Sequence, residues 1–368
     1  MTKVVQTQEA KDNANQLQAQ TMYVTISGAD EKRVREIFNE MYDIAKRDLS
    51  EIAIKTANER VAKFEEAFVP KITKIDGAIN SLADPSFQLL LTEAHKTAAA
   101  TEREFDYELL SELLVQRIKK GANRKARLGI SEAVKVVDKI DDDALQGLTI
   151  AYSLNLYPVV GSIHDGIDAF DNMFGNLIYD ELPSGKEWIE HLDILKAVRI
   201  SPFGKFKKFE EIFIKNLDGY VCTGIKKDSE QYLQAVKILE ENRITKSILV
   251  NHELNEGYVR LSIPRKTSIE EKNEVRQLLN IDNDTTNNLS KISECLLKIY
   301  SLYDKDVNLK KTVENEFIKE WDKKTNLKKI KEWWNSIPNS FDITAVGNML
   351  SHANAEKYVE GIPKIEQQ

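Results

Sequence analysis

Apolar residues recur at three- to four-residue steps over residues 34–68, which is the period of one face of an α-helix. Ser27 and Asp30 precede this run with the spacing of a capping box, and Pro70 ends it. At about 1.5 Å per residue, one helix over residues 30–69 would be on the order of 55 Å long. A helix of that length needs a packing partner along it. We expect the chain to self-associate through an interface that includes Val34, Ile37, Met41 and Ile44.

Signals for helix starts and ends continue after this run. Asp84-Pro85 is a cap followed by proline at the first helical position, Gly121 stands where a helix ends, and Ser131 opens another amphipathic segment. Amphipathic helices joined by short loops pack against each other in antiparallel pairs. The sequence therefore predicts a helical domain over 30–156, after a flexible lead-in over 1–29 that contains one short strand.

The segment 157–186 contains four glycines, which disfavour a helix, and a His164-Asp165 pair lies among them. We interpret it as a hinge between two domains, with Asp165 capping the helix that follows. A second interpretation stays open, because a His-Asp pair joined by another histidine can bind metal ions in phosphohydrolases. That alternative is a metal-dependent hydrolase with the ligands His95, His164 and Asp165.

The pattern over 187–368 is mixed. Helical segments surround one strand–turn–strand pattern over 244–263, with Asn255-Glu256-Gly257 in the turn. We expect a smaller α+β domain that is winged-helix-like and has a helical C-terminus, so the whole protein is predicted to be mainly α-helical. A nucleic-acid-binding module that uses this wing is a further alternative, although the turn is acidic where a DNA-reading wing is usually basic.

The residues that resemble a known family lie in three blocks. They are ANERVAKFEEAF at 57–68, FDYELLSELLVQRIK with ISEAVKVVDKIDDDALQGLTIAYSL within 105–154, and FDITAVGNMLSHAN at 341–354. Together they resemble an uncharacterised bacterial family that is known by locus-tag names and is associated with antiphage defence. The last block is also similar to the tail of Abi-alpha-like abortive-infection proteins, with Ile343 in place of a leucine. The resemblance implies a role in phage defence and transfers no catalytic residue.

Composition excludes several classes of protein. The formal net charge is −7, and no apolar run is long enough to span a membrane. Cys222 and Cys295 are the only cysteines, too few for a disulfide framework or a four-cysteine zinc site. No phosphate-binding glycine loop occurs, and no cofactor is expected. These features are typical of a cytoplasmic protein.

Two local features are candidate binding surfaces. The stretch RIKKGANRKAR at 117–127 is basic and contains no acidic residue, so we expect it to bind nucleic acid or another polyanion through Lys119, Lys120, Arg124, Lys125 and Arg127. Adjacent residues on a helix point to different sides, so at least one of Trp333 and Trp334 is a candidate interface anchor. The polar stretch at 282–288 lacks the ligand pattern of a calcium loop and is predicted to connect two helices.

These features favour a non-enzymatic role and leave an enzymatic one open. The prediction is a sensing or scaffolding component of an antiphage system that self-associates through its long N-terminal helix. Its expected partners are a second copy of the chain and a defence-system protein or phage component.

Overall fold

The computed structural model describes residues 31–46, 51–120, 123–201, 203–279 and 289–359, and the protein is mainly helical over them. In the first half of the chain, the described residues form helices joined by turns. Its helices are α1 (Glu31–Ala45), α2 (Glu51–Ile72), α3 (Ala78–Leu82), α4 (Pro85–Ala100), α5 (Glu104–Lys119), α6 (Arg124–Val134), α7 (Asp142–Ser153) and α8 (Ile163–Leu177). The lead-in over 1–29 and the stretch 282–288 lie outside the described residues.

The expectation of one long N-terminal helix is wrong, because α1 and α2 are separate helices that fold against each other. The ring of Phe38 lies 5.5 Å from that of Phe64 and 6.2 Å from that of Phe68. In one straight helix, Phe38 and Phe64 would be about 39 Å apart. An apolar stripe has the same period in one long helix and in two short ones, so periodicity could not separate them. Helix α2 also continues two residues past Pro70.

Local capping sets most of the helix starts. Asp84 caps α4 by accepting a hydrogen bond from the backbone N–H of Ser86 at 2.9 Å, as its sequence predicts. Helix α6 begins earlier than expected, because Asn123 caps it and accepts from the N–H of Ala126 at 3.1 Å. Ser131 is therefore inside α6 and does not begin a helix.

The predicted hinge contains a full helix of the core. Ser162, not Asp165, caps α8, and it accepts a hydrogen bond from the N–H of Asp165 at 3.2 Å. Gly166 lies inside α8, where a Cβ atom would come within 2.2 Å of the Tyr220 hydroxyl. This glycine permits close packing of the helix and does not interrupt it.

The second half of the chain adds helices and two small sheets. The helices are α9 (Glu187–Ile194), α10 (Phe209–Asn216), α11 (Glu230–Glu241), α12 (Lys272–Leu279), α13 (Leu289–Ser301), α14 (Val307–Asp322), α15 (Thr325–Ser336) and α16 (Ala345–Tyr358). The strands are β1 (Val198–Ile200), β2 (Ile225–Lys226), β3 (Leu249–Asn251), β4 (Tyr258–Leu261) and β5 (Phe341–Ile343), with short 3-10 helices at Lys246–Ile248 and Lys266–Ile269.

Both sheets are antiparallel. Strand β1 pairs with β5, with Arg199 opposite Asp342, and the other sheet has the order β2-β4-β3. The predicted strand–turn–strand element corresponds to β3 and β4, and Gly257 adopts φ +80° in its turn. The winged-helix-like character of this part stays a prediction.

Two hydrophobic cores organise the molecule. The larger core combines side chains from Val34 to Val221 with others from Phe317 to Ala355, and the smaller one lies between Cys222 and Tyr303. Residues on both sides of 157–186 thus share the larger core. Helix α16, capped by Thr344, packs against α5, α6 and α7 and brings the C-terminal part of the chain onto the N-terminal helices.

Candidate ligand cavity

A cavity of about 500 Å³ lies between α1, α2 and α4, at the end of the larger core. This volume is within the range of sites for small organic molecules. One side of the cavity opens to solvent. Its lining consists of Tyr42, Lys46, Ala53, Thr56, Ala57, Arg60, His95, Lys96, Ala99 and Ala100.

Small side chains create this space. Ala53 and Ala57 stand one turn apart on α2, while Ala99 and Ala100 end α4. Further along the same helices, Phe64 and Phe68 close the gap with Phe38 of α1. Along α2, the cavity therefore lies beside the alanines, and the packed core begins where phenylalanines replace them.

His95 lies at the inner wall of the cavity and is fully buried. Its Nδ1 is 2.6 Å from the carbonyl oxygen of Leu91, one turn earlier on α4. A carbonyl oxygen only accepts, so we assign the proton of the neutral ring to Nδ1. The other ring nitrogen, Nε2, has no hydrogen-bond partner among the described residues. A residue that lines the cavity therefore carries a buried acceptor without a donor.

Burial also fixes the charge of this imidazole. Desolvation lowers the pKa of His95 from 6.5 to about 4, so the ring is neutral at physiological pH. Phe38 meets the ring edge-on at 4.3 Å, and Tyr42 stacks on it at 5.6 Å. Tyr42 in turn donates its hydroxyl proton to Asn58 Oδ1 at 2.7 Å. These contacts hold the imidazole in one orientation.

Three cations surround the open side of the cavity. Arg60 donates to the carbonyl oxygens of Ala99 and Ala100, at 3.0 and 3.2 Å, and so completes the C-terminal end of α4. Lys46 pairs with Asp43 at 2.6 Å, which raises the pKa of this lysine, and Lys96 lies 4.0 Å from the nearest carboxylate oxygen. Arg60 also lies 3.6 Å from Glu102, so each of the three cations has a carboxylate within 4.0 Å, while the histidine beside them is neutral.

This arrangement suits a ligand with two different ends. A hydroxyl, amide or amine donor would satisfy His95 Nε2, and an anionic group would lie near the cations of the rim. The alanines would contact the apolar part between them. From the sequence, His95 is predicted only as a possible metal ligand. The cavity leaves no local signal, because its walls come from residues up to 58 positions apart.

The predicted interface residues lie mostly inside the chain. Val34, Ile37 and Met41 are buried in the larger core, and of that group only Ile44 is substantially exposed, at 44%. Trp333 and Trp334 are also buried, and their indole nitrogens donate to the carbonyl oxygens of Pro183 and Lys207. These side chains hold the chain's own helices together, so they do not form a surface open to a partner.

The three candidate metal ligands are not assembled into a site. Asp165 follows His164 on α8, where the His164 Nε2 lies 4.0 Å from Glu320, and that carboxylate already pairs with Lys323 at 2.5 Å. His95 is enclosed by α1, α2 and α4 instead. Within the described ranges, no group of three or more His, Cys, Asp or Glu side chains is placed to hold a metal ion.

The predicted basic residues do lie together, at the C-terminal end of α5 and the start of α6. Lys119, Arg124 and Lys125 are exposed, and Lys120 and Arg127 are partly buried. Burial lowers the pKa of Lys120, whose Nζ lies 3.9 Å from the sulfur of Met349. The nearby Arg117 is buried and is engaged by Asp84 and Ser86, so it belongs to the fold.

Cys222 lies 3.8 Å from His252, a proximity that the sequence did not reveal. The pair is structural, because His252 Nε2 is 2.7 Å from the carbonyl oxygen of Cys222 and its Nδ1 accepts from Leu254 N–H. Burial raises the pKa of the Cys222 thiol to about 12 and lowers that of His252 to about 4. Both groups are neutral, and no activated thiolate results.

The buried ion pair of Arg260 and Glu253 connects the predicted wing to the start of α8. Arg260 is fully buried and donates to Glu253 at 2.7 Å and to the carbonyl oxygen of Gly161 at 2.7 Å. Glu253 also accepts from the N–H of Ile163, in the first turn of α8. The turn between β3 and β4 therefore joins the two cores. This contact is a structural role for the wing that the sequence did not indicate.

The protein is mainly helical and has a cavity whose volume is in the range of small-molecule sites. One protein-family model, whose description reads only ":-like", matches residues 28–365, and the chain belongs to that family. This agrees with the uncharacterised family expected from the sequence. Comparisons with curated proteins and with solved structures found no match. None of the helices described is both long enough and apolar enough to cross a membrane.

Proposed function

We propose that the protein is a non-enzymatic sensing component of a bacterial antiphage defence system, and that the cavity between α1, α2 and α4 is its sensing element. The observation that supports sensing most strongly is His95, which lines a cavity of ligand size and whose buried Nε2 has no hydrogen-bond partner among the residues that the structure describes. An unsatisfied buried polar atom costs about 1–3 kcal/mol, and a bound donor would remove that cost.

The defence setting rests on the sequence resemblance. Its first block, residues 57–68, supplies Ala57 and Arg60 to the cavity and Phe64 and Phe68 to the core beside it. A ligand between α1 and α2 would fix the angle between these helices. This gives the sensor a physical means to report occupancy to a partner protein.

Self-association remains part of the proposal, through the exposed part of the expected interface, Ile44, together with Ile52. Ile44 and Ile52 are exposed by 44% and 89% near the facing ends of α1 and α2. Native mass spectrometry of the chain and of Ile52→Ser tests it. The proposal expects an integer multiple of the chain mass that is reduced in the variant, and a monomer in both would contradict it.

Retention of a small molecule tests the sensing function. The purified protein is dialysed against a bacterial small-molecule extract and washed, and the retained compounds are identified by mass spectrometry. Ala57→Leu would fill the cavity, and His95→Phe would remove its acceptor. Ala62→Leu is the matched control, since Ala62 is exposed on the same helix.

The proposal predicts a compound with a hydrogen-bond donor and an anionic group, retained by the wild type and by Ala62→Leu. Ala57→Leu and His95→Phe should retain at least about tenfold less, the equivalent of losing one hydrogen bond to a buried group. Equal retention by all four proteins, or no retention by the wild type, would contradict a sensing role for this cavity.

A further inference from the structure

The C-terminal end of α5 and the N-terminal ends of α4 and α6 meet at one end of the helical body. Arg117 of α5 reaches Asp84 at the start of α4, at 3.4 Å. The positive charge of Arg127 on α6 also acts on Asp84, and Glu93 of α4 acts on Lys135 of α6. Helices α4 and α6 therefore run side by side in the same direction.

This end carries a basic surface, consisting of Lys119, Lys120, Arg124, Lys125 and Arg127. Among the described residues, none of these five cations has an ion-pair partner within 4.0 Å. The cations just before and after them are paired, Arg117 with Asp84 and Lys135 with Glu132. The nearest acids act on this surface only through space, Glu356 on Lys119 and Lys120 and Asp84 on Arg127, so the surface is basic on a chain whose net charge is −7.

Two of the cations stand where the fold disfavours them. Arg124 and Lys125 occupy the first turn of α6, where the helix dipole is positive and an acidic side chain would stabilise the helix. Within the described part of the chain, neither side chain makes an ion pair that would compensate for this position. Their presence there is explained if the surface binds an anion.

Exposed leucines accompany these charges. Leu128 is exposed by 65% and follows Arg124 by one turn on the same face of α6, and Leu89 is exposed by 73% on the adjacent α4. Cations beside exposed aliphatic side chains match an anionic bilayer, where the cations meet the headgroups and the leucines enter the interface. The phosphate backbone of a nucleic acid has no apolar surface for the leucines to contact. Residues 117–127 also contain no aromatic side chain that could stack on bases.

We propose that the basic surface, together with Leu128 and Leu89, docks the protein on the surface of a membrane rich in anionic lipid. The docking is peripheral and reversible. It does not depend on the ligand cavity, whose walls lie around the opposite end of α4.

Co-sedimentation of the full chain with phosphatidylcholine vesicles, with and without phosphatidylserine, tests this proposal. The wild type should bind only the anionic vesicles, and less at high salt. Arg124→Gln with Lys125→Gln should weaken binding about 25-fold, about fivefold for each cation removed. Leu128→Gln should weaken it about fivefold at low and high salt alike, because its contribution is apolar.

Two matched variants control for charge and folding. The first control, Lys226→Gln with Lys227→Gln, removes two exposed lysines in the part of the chain that contains the smaller core. Within the described residues these lysines also lack an ion pair, and this variant should bind as the wild type does. Arg124→Lys with Lys125→Arg keeps the charge and should also bind normally. Circular dichroism melting establishes that each variant is folded.

Three results would overturn the proposal. The first is no binding of the wild type to anionic vesicles at low salt. The second is an equal loss in both double-glutamine variants. The third is binding to duplex DNA without vesicle binding, lost with Arg124→Gln and Lys125→Gln and unchanged by Leu128→Gln, which would assign the surface to nucleic acid.

Discussion

The imidazole of His95 donates from Nδ1 to the carbonyl oxygen of Leu91, 2.6 Å away and one helical turn earlier. That single contact determines the chemistry of the cavity. It fixes the neutral tautomer, in which Nε2 is an acceptor, and Nε2 lacks a partner among the described residues. The protein therefore keeps a buried acceptor at some cost in stability, which is typical of a binding site.

Replacing His95 should make the empty protein more stable. His95→Phe keeps the ring contacts with Phe38 and Tyr42 and removes the unsatisfied nitrogen, so we expect a gain of about 1 kcal/mol. The thermal midpoint should rise by about 1–2 °C for a chain of this size. Differential scanning calorimetry measures it.

The control for that variant is His352→Phe. Both ring nitrogens of His352 have partners, Tyr152 at 3.0 Å and Glu356 at 3.5 Å, so this variant should be less stable than the wild type. A loss of stability in His95→Phe as large as that in His352→Phe would show that His95 is an ordinary core residue.

Acid should destabilise the fold well above the range in which carboxylates titrate. The pKa values of His95 and His252 are lowered to about 4, from 6.5 in the unfolded chain. Between these values the unfolded state binds more protons, so the free energy of unfolding falls as pH decreases through this window. At about pH 5 each histidine contributes a loss of about 2 kcal/mol.

Urea unfolding at a series of pH values measures that loss. In His95→Phe, the dependence between pH 6.5 and 4 should be about half that of the wild type, since only His252 remains. An unchanged pH dependence would mean that His95 is accessible to protons in the folded state.

The buried pair of Arg260 and Glu253 should be the most sensitive ion pair of the smaller core. Glu253→Gln leaves a fully buried guanidinium without its carboxylate, and we expect a loss of about 3 kcal/mol in the free energy of unfolding. Desolvation acts to raise the pKa of Glu253, but the charge and hydrogen bonds of Arg260, with backbone hydrogen bonds, outweigh it and lower the pKa overall. Chemical denaturation of the variant gives the value.

Glu240→Gln provides the comparison for Glu253→Gln. Its carboxylate pairs with Lys246 at 2.6 Å, but both side chains are more than half exposed. We expect a change within about 0.5 kcal/mol. Similar losses in the two variants would contradict a special role for the junction between the cores.

Reversing a charge at the start of α6 should raise stability while it removes membrane binding. Lys125→Glu places an acid in the first turn, where the dipole favours it, and we expect a gain of about 0.3–1 kcal/mol. Lys119→Glu, in the last turn of α5, should have the opposite effect on stability. Thermal melting measures the stability of both variants. A loss of stability in both would mean that the cations of α6 stabilise the fold.

Features that depend on neighbours in sequence were predictable. The cap Asp84 with Pro85 at the start of α4, and Gly257 in the turn between β3 and β4, are local signals, and both occur where expected. The mainly helical character follows from periodicity. Periodicity did not reveal the break between α1 and α2, and glycine content misled at Gly166, which lies in a helix because Tyr220 packs against it.

Features that depend on distant parts of the chain were not predictable. Strand β1 is extended because it pairs with β5, over 140 residues later, and no local pattern indicates that pairing. The cavity is an absence of side-chain volume between α2 and α4, and alanines there look like any other helix-forming residues. His95 was recognisable as a buried polar residue only once α1 was placed over it.

The nitrogen chemical shifts of His95 test the central claim most directly. In protein labelled with ¹⁵N at its five histidines, comparison with His95→Phe assigns the pair of resonances. We predict a protonated Nδ1 and an unprotonated Nε2 in the empty protein, with the Nε2 resonance shifting toward the hydrogen-bonded range when the retained compound is added. An Nε2 that is already protonated, or that does not respond to the compound, would contradict the assignment of this cavity as the sensing site.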